Sequence, residues 1–126
     1  MRITEIDFED RQPIDAYGAG GFRVGGARYE GALALLPSGP RPWPEAPAAA
    51  AQLSCEVFAP VLAEAAEIDV LLVGMGADVA PLPDEARAAL EQAGIGVEIM
   101  GTGAACRTYN VLLAEGRRVA AALLPV

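Results

Sequence analysis

The chain has 126 residues, of which 53% are hydrophobic and 21% are charged, and its formal net charge is −8. This balance is typical of a globular protein, and the length predicts a single domain over residues 1–126. All nine basic residues are Arg and the chain has no His, which excludes Ser–His and Cys–His catalytic pairs, Lys Schiff bases, a Walker A lysine and His-rich zinc sites.

Charge and hydropathy also restrict the partners and the location. An acidic protein repels phosphate backbones, and Arg117-Arg118 is the only adjacent basic pair, so we expect no nucleic-acid binding. No apolar run approaches the ~20 residues of a membrane helix, and the N-terminus lacks the apolar core of a signal peptide. We therefore expect a soluble, cytoplasmic protein with reduced Cys55 and Cys106, without membrane insertion, metal or cofactor.

The first third of the chain is predicted to form antiparallel strands. Arg2–Phe8 alternates loosely and predicts a first strand, followed by a loop over residues 9–15. The glycines from Gly18 to Gly26 suit tight turns. They do not lie between a strand and a helix, which favours hairpins over a phosphate-binding loop. The predicted strand segments are Phe22–Val24, Arg28–Tyr29 and Gly31–Leu36.

A proline-rich segment follows, with five prolines in Pro37–Pro47 and one tryptophan, Trp43. Proline fixes φ and lacks an N–H, so this segment is predicted to be an extended connector, neither helix nor central strand. Two interpretations of Trp43 are open. The favoured one is a lid packed over a sheet edge, because large aromatic side chains bury most of their area; the other is an anchor that binds a protein partner.

Residues 48–66 are rich in alanine and are predicted to be helical. Ser54 is a candidate N-cap, and the helix is expected to kink at Pro60 or to restart with it in a first turn. Cys55 is expected to be a small buried or half-buried residue. Three residues are predicted to face inward: Val57, Val61 and Leu62.

The second half alternates strands and helices. Asp69–Val73 is continuously apolar after its first residue, which indicates a parallel strand covered on both faces. Pro83-Asp84-Glu85 opens a helix that Gly94 closes, with Leu90 and Ala93 predicted to face inward. A strand over Ile95–Met100 comes next.

The last helix and strand have clear boundaries. Thr102 is the predicted N-cap of a helix over Ala104–Glu115, and Gly116 its C-terminal cap. The final strand is predicted over Val119–Leu124. The apolar stripe of the helix comprises Ala105, Tyr109, Leu112 and Leu113.

The order strand, helix, strand, helix, strand predicts right-handed parallel crossovers. The N-terminal hairpins are expected to add antiparallel strands to the same sheet. The predicted fold is thus a three-layer α/β domain with a mixed central sheet.

The candidate site lies where two strands end in Gly-x-Gly turns, at Gly74–Gly76 and Gly101–Gly103. In open α/β sheets, ligands bind beyond the carboxyl ends of the strands, and a helix N-terminus there favours anions. Neither turn completes Gly-x-Gly-x-x-Gly, so the favoured interpretation is tight turns and close packing. The candidate ligand-binding residues are Gly74, Gly76, Thr102, Gly103, Cys106 and Arg107.

Two polar features of the last helix remain open. The helix N-terminus and Arg107 can lower the pKa of Cys106, but no His acts as a base, so a structural thiol is favoured over a reactive one. Arg107 and Asn110 lie opposite the apolar stripe, as solvated surface or as a polar edge for a ligand or partner.

The segment from Cys106 to Arg117 resembles an uncharacterised bacterial and archaeal domain family, the Mth-type domain. This family includes mitochondrial respiratory complex I assembly factor 3 and the adipogenesis-associated Mth domain protein. The chain has Gly101 where many bacterial members have Asp. Upstream segments that agree are Gly18–Phe22, Pro37–Trp43, 69–76 and 94–102.

The resemblance implies a small three-layer α/β domain with a mixed sheet, without an established activity or defined catalytic residues. Since the eukaryotic relative acts in complex assembly, the resemblance favours a non-catalytic interaction domain with a protein partner. The alternative is a small-ligand or anion-binding protein, or a minor enzyme, that uses the crevice at the ends of strands 69–73 and 96–100.

Overall fold

The computed structural model describes residues 11–126, so the strand predicted at Arg2–Phe8 lies outside the described residues. None of the helices in residues 11–126 is long and apolar enough to cross a membrane. The strands are β1 (Ile14–Gly18), β2 (Gly21–Val24), β3 (Ala27–Glu30), β4 (Leu33–Leu36), β5 (Gly39–Pro42), β6 (Val70–Gly74), β7 (Gly96–Met100) and β8 (Val119–Leu123), and the α-helices are α1 (Ala59–Leu62), α2 (Asp84–Gln92) and α3 (Thr102–Ala114).

The strands form two sheets. The larger is mixed, in the order β5-β4-β8-β6-β7, and the smaller is the antiparallel meander β1-β2-β3. The prediction that all N-terminal hairpins extend the main sheet is wrong for β1–β3. Gly31, with φ +78°, turns the chain between β3 and β4, so that only β4 and β5 join the main sheet.

The main sheet is buried on both faces, as predicted from its continuously apolar strands. All four residues of β4 are buried. Ala34 and Leu36 belong to the core beneath α2, and Leu33 and Leu35 to the core beneath α3. The small sheet packs onto the α3 side, because Phe22 and Val24 belong to that second core.

The parallel half of the fold follows the predicted boundaries within one or two residues. Gly94 and Gly116 follow the ends of α2 and α3 with φ values of +89° and +76°, as the predicted C-terminal caps require. The predicted inner face of α2 is half right: Leu90 is buried together with Ala86, but Ala93 is exposed. Ala93 follows the last helical residue and no longer faces the sheet.

The long helix predicted over residues 48–66 does not form. One α-helical turn, α1, is flanked by 3₁₀ turns at Ala50–Gln52, Cys55–Phe58 and Ala65–Glu67. Pro60 lies in the first turn of α1, as predicted for a restart, and Ser54 makes no side-chain cap bond. Tertiary contacts override alanine propensity here, since Phe58 and Val61 are buried against the sheet.

Trp43 lies inside the protein, with 2% of its surface exposed. Its indole N–H donates to the Val57 carbonyl at 2.7 Å, and its ring centroid is 5.8 Å from that of Phe58. An anchor for a partner needs an exposed side chain, so that interpretation of Trp43 is wrong. The residue is the buried lid, because its hydrogen bond and its apolar area are both satisfied within the chain.

Candidate functional site

The two Gly-x-Gly turns meet at one end of the sheet. β6 and β7 are parallel neighbours with Gly74 opposite Met100, so both turns leave the sheet side by side. The Met75 N–H donates to the Met100 carbonyl at 2.8 Å. The structure therefore brings together the two turns that the sequence singled out.

Thr102 joins these turns with hydrogen bonds. Its hydroxyl donates to the Leu124 carbonyl at 2.6 Å and accepts from the Gly76 N–H at 2.8 Å. Its own N–H donates to the Gly76 carbonyl at 3.0 Å. The residue is fully buried, so it connects β6, α3 and the end of β8.

Thr102 is not the N-cap of α3, so that prediction is wrong. It is the first helical residue, and the N-cap is Gly101, which has no side chain for a cap bond. The Thr102 hydroxyl binds the neighbouring turns instead of its own helix. Gly101 still accepts the first helical bond, from the Ala105 N–H at 3.0 Å.

Gly74 permits the close approach of α3 to the sheet. A Cβ at this position would lie 2.8 Å from Leu123 Cδ2 and 3.2 Å from both Ala105 Cβ and the Thr102 Cα. Gly76 has a φ of +75°, which favours glycine. These observations give both glycines packing and turn roles.

Gly103 and Arg107 face the small sheet. A Cβ on Gly103 would lie 2.6 Å from the Tyr17 hydroxyl. An Arg107 guanidinium nitrogen is 3.5 Å from the same hydroxyl, the long limit of a hydrogen bond. Arg107 is exposed and forms no ion pair within residues 11–126.

A groove of about 330 Å³ runs between β1 and α3. Arg107 and Asp15 supply opposite charges to its lining, and the buried Cys106 thiol lies beside them. Gly74, Gly76, Thr102 and Gly103 do not line it. The lining residues are Ile14, Asp15, Ala16, Tyr17, Cys106, Arg107 and Asn110.

Cys106 is a neutral thiol at physiological pH. It is 3% exposed, and burial raises the pKa of this thiol to about 11, although the nearby Arg107 charge lowers it. The desolvation of the thiolate outweighs the attraction of one exposed guanidinium. The geometry therefore agrees with the structural interpretation of Cys106. Within residues 11–126, no three His, Cys, Asp or Glu side chains cluster as metal ligands.

Asn110 has a role that the sequence did not indicate. Its amide oxygen accepts from the Ile14 N–H and its amide nitrogen donates to the Ile14 carbonyl, both at 2.8 Å. The side chain thus acts like a short piece of strand at the edge of β1. Neither solvated surface nor a free polar edge describes it, because both ends of the amide are occupied.

Arg11 and Tyr109 form a second contact that the sequence did not reveal. The guanidinium donates to the Tyr109 hydroxyl at 2.8 Å and to the Val119 carbonyl at 2.9 Å. Burial raises the pKa of Tyr109, and the Arg11 charge opposes this shift. The apolar position of Tyr109 predicted burial, but its hydroxyl partner lies 98 residues away.

The family described as a protein of unknown function (DUF498/DUF598) matches residues 14–124. The chain belongs to this family. An uncharacterized protein from Rhodobacter capsulatus is 44% identical over 126 residues, which cover 100% of this chain and 94% of that relative. The resemblance noted from the Cys106–Arg117 segment is thereby confirmed.

The chain is also similar to proteins named for complex assembly. NADH dehydrogenase [ubiquinone] 1 alpha subcomplex assembly factor 3 from Rattus norvegicus is 34% identical over 125 residues. The match covers 99% of this chain and 66% of that protein. The chain thus spans about two thirds of the length of this relative.

Solved structures share the fold. An outer membrane protein from Bartonella henselae superposes with a TM-score of 0.85 at 43% identity, covering 92% of this chain and 96% of that one. A Mth938-like domain from Bordetella pertussis superposes with a TM-score of 0.80 at 33% identity, covering 99% and 92%. The predicted α/β class with a mixed sheet is confirmed.

Proposed function

We propose that this chain is a non-catalytic interaction domain that binds a protein partner and assists the assembly of a larger, respiratory-type complex. The observation that carries the proposal is its similarity to the assembly factor along 99% of its length. A second observation supports it. The glycine turns, where an α/β protein holds a ligand, are bonded to each other through Thr102.

The proposal is tested in the native host by deleting the gene. We expect subassemblies of the respiratory NADH dehydrogenase to accumulate on native gels, and a plasmid copy to restore the complete complex. Affinity capture with the tagged chain should recover subunits of those subassemblies, and an unrelated acidic domain of similar size should not. Normal assembly in the deletion strain would refute the proposal.

A second candidate function is the binding of a small anion in the groove between β1 and α3. The observation that favours it is the position of Arg107 beside Tyr17 in a groove of about 330 Å³. Gly103 would let α3 approach Tyr17 at the side of the groove, whereas Gly74, Gly76 and Thr102 would shape the end of the sheet. Carboxylates and phosphate esters are the ligands that a guanidinium binds best.

A thermal-shift screen with such anions tests this candidate. We expect a rise in Tm of several degrees that is lost in Arg107→Ala. Arg117→Ala is the matched control, since Arg117 is exposed and does not line the groove. A rise that persists in Arg107→Ala, or is lost equally in both variants, would contradict the assignment of the groove.

A further inference from the structure

The edges of the two sheets differ in the backbone groups that they offer. A sheet edge with unpaired N–H and C=O groups is a template for another strand, and proteins protect such edges with prolines, charges or covering groups. Among residues 11–126, the edge strands of the main sheet are β5 and β7, and those of the small sheet are β1 and β3. Three of these four edges carry prolines, a covering side chain or paired charges.

Prolines protect the β5 edge. The Trp43 N–H donates to the Ala32 carbonyl at 3.0 Å, so these two residues form a hydrogen-bonded pair. Every second pair of β4 and β5 is bonded in this way, and in the pairs between them the β5 residue directs its backbone groups away from β4. The outward positions are Pro40 and Pro42. Neither has an N–H, so this edge offers no donors to an added strand.

Side chains cover or charge part of each edge of the small sheet. On β1, both backbone groups of Ile14 are bound by the Asn110 amide. On β3, the Gly31 N–H donates to the Gly20 carbonyl. Because hydrogen-bonded and non-bonded pairs alternate along β2 and β3, Arg28 and Glu30 direct their backbone groups away from β2. Their side chains form an exposed ion pair with each other at 2.6 Å, which places charge on this edge.

Within residues 11–126 the β7 edge has no proline, and a side chain covers only one of its outward backbone groups. The Gly96 N–H donates to the Asp69 carbonyl and the Met100 carbonyl accepts from Met75. In a parallel ladder, alternate residues bond the same neighbour, so Gly96, Glu98 and Met100 face β6. Val97 and Ile99 therefore direct their N–H and C=O groups away from the sheet.

Within residues 11–126 these outward groups have one partner. An Arg87 guanidinium nitrogen lies 3.4 Å from the Val97 carbonyl. The Val97 N–H and both backbone groups of Ile99 have no partner in the described part of the chain. They form a short row of two donors and one acceptor.

Charge around this row defines the strand that would fit it. Glu98 is exposed on β7 and has no ion pair within residues 11–126, and Arg87 is matched by Glu91 at 3.9 Å. The local balance is therefore negative, as is that of the whole chain at −8. A second copy of the chain would bring a second Glu98 and the same net charge, and like charges placed opposite each other disfavour pairing.

We infer that the outer edge of β7 is a docking site for an extended, basic segment of a protein partner, which adds a sixth strand to the main sheet. Its backbone pairs with Val97 and Ile99, and a Lys or Arg of the segment lies beside Glu98. Apolar residues at the alternate positions would lie beside Val97 and Ile99, on the α2 face of the sheet. This inference rests on the proposed function, that the chain binds a protein.

Hydrogen exchange of the full chain tests the edge. We expect the Val97 and Ile99 amides to exchange at least about tenfold faster than the Glu98 amide, which is bonded to β6. A seven-residue peptide of alternating lysine and valine, added at millimolar concentration, should slow Val97 and Ile99 selectively. A peptide of alternating glutamate and valine should not.

Several results would overturn the inference. One is slow exchange of Val97 and Ile99 in the free chain at every protein concentration, which would mean that the chain covers its own edge. Another is slow exchange that appears only at high protein concentration, which would mean that a second copy covers it. Unchanged exchange with the lysine peptide, or slowing at β3 instead, would also contradict it.

A charge exchange tests the chemistry of the occupant. Glu98→Arg should bind the lysine peptide about fivefold to tenfold more weakly and should gain affinity for the glutamate peptide. Glu30→Arg is the matched control, because it makes the same charge change on an exposed edge of the other sheet. Equal effects of the two variants would show that only net charge matters, and would overturn the site.

The test separates this inference from the function on which it rests. If the chain captures assembly partners and Glu98→Arg captures them equally well, the edge is not the docking site and the proposed function stands. If the deletion strain assembles its complexes normally, the proposed function fails. The peptide experiment then still decides whether β7 accepts a strand.

Discussion

Asn110 binds the backbone of Ile14 in both directions, with its amide oxygen and its amide nitrogen each 2.8 Å from their partners. Ile14 is 6% exposed, so water cannot readily replace these bonds. One side chain on α3 therefore holds the first strand of the small sheet against the helix. The groove next to this contact depends on it for its shape.

Asn110→Ala should destabilise the protein by about 2–4 kcal/mol, because it leaves a buried N–H and a buried C=O without partners. Urea unfolding measures this change. Arg107→Ala, three residues away on the exposed surface, is the control and should change stability by less than about 0.5 kcal/mol. Equal effects would show that the Ile14 bonds contribute little.

Thr102→Val should cost about 2–4 kcal/mol, although valine has nearly the same shape as threonine. The substitution removes the hydroxyl that binds the Gly76 N–H and the Leu124 carbonyl in a fully buried position. Thr102→Ser keeps the hydroxyl and should cost about 1 kcal/mol, for the lost methyl group. The order of the two variants in chemical denaturation decides whether the hydroxyl or the packing matters.

Gly74→Ala should destabilise the protein by about 1–3 kcal/mol, because its Cβ would lie 2.8 Å from Leu123. Gly96→Ala is the matched control in the neighbouring strand. The nearest atom to a Cβ there is the Asp69 carbonyl oxygen at 3.6 Å, an ordinary contact, so stability should stay unchanged or rise slightly. A neutral Gly74→Ala would show that α3 can move away from the sheet.

Cys106 should resist alkylation in the folded protein, because burial raises the pKa of its thiol from 9.0 to about 11. At pH 8, iodoacetamide should modify the half-buried Cys55 first, with mass spectrometry of the peptides as the readout. Rapid alkylation of Cys106 under these conditions would contradict the buried, neutral thiol.

The same shift predicts how stability depends on pH. The raised pKa of Cys106 means that the unfolded chain loses this proton first, so the contribution to stability is complete below pH 9 and is lost as the pH rises toward 11. Cys106→Ala should show a shallower loss over this range in urea unfolding. Tyr109, whose pKa is also raised, remains in both proteins, so the difference isolates Cys106. Parallel pH profiles would disprove the effect.

Trp43 is the only tryptophan of the chain, so its fluorescence reports on one site. The buried indole should emit at short wavelength and resist iodide quenching until the protein unfolds. Trp43→Phe should cost about 1–3 kcal/mol, because it leaves the Val57 carbonyl without its donor. Efficient quenching of the native protein would place the indole at the surface instead.

The parallel half of the fold was predictable because its signals are local. A continuous apolar run, a helix opened by acidic residues and a glycine beyond its end each depend on neighbours in sequence. Gly94 and Gly116 mark their helix ends for this reason. The prediction of a long helix over residues 48–66 was wrong because the helix propensity of alanine is weak and the tertiary contacts of Phe58 and Val61 decide the conformation.

The site was harder to predict because its contacts link distant segments. The glycine turns were identified, but the bonds of Thr102 to Gly76 and Leu124 depend on β6 and β8 being neighbours. The Asn110 bond to Ile14 spans 96 residues, and no local pattern indicates it. The sequence thus identified where the strands end, but not which side chains would join them.

The position of β8 between β4 and β6 has a consequence for biosynthesis. It is the last strand of the main sheet to be translated, yet it separates the antiparallel pair from the parallel pair. On the ribosome, the backbone groups of β4 and β6 that bind β8 have no partner strand until Val119–Leu123 leaves the exit tunnel. Folding of this sheet is therefore expected to finish only after β8 has left the tunnel, and a nascent chain stalled before Val119 should remain sensitive to protease.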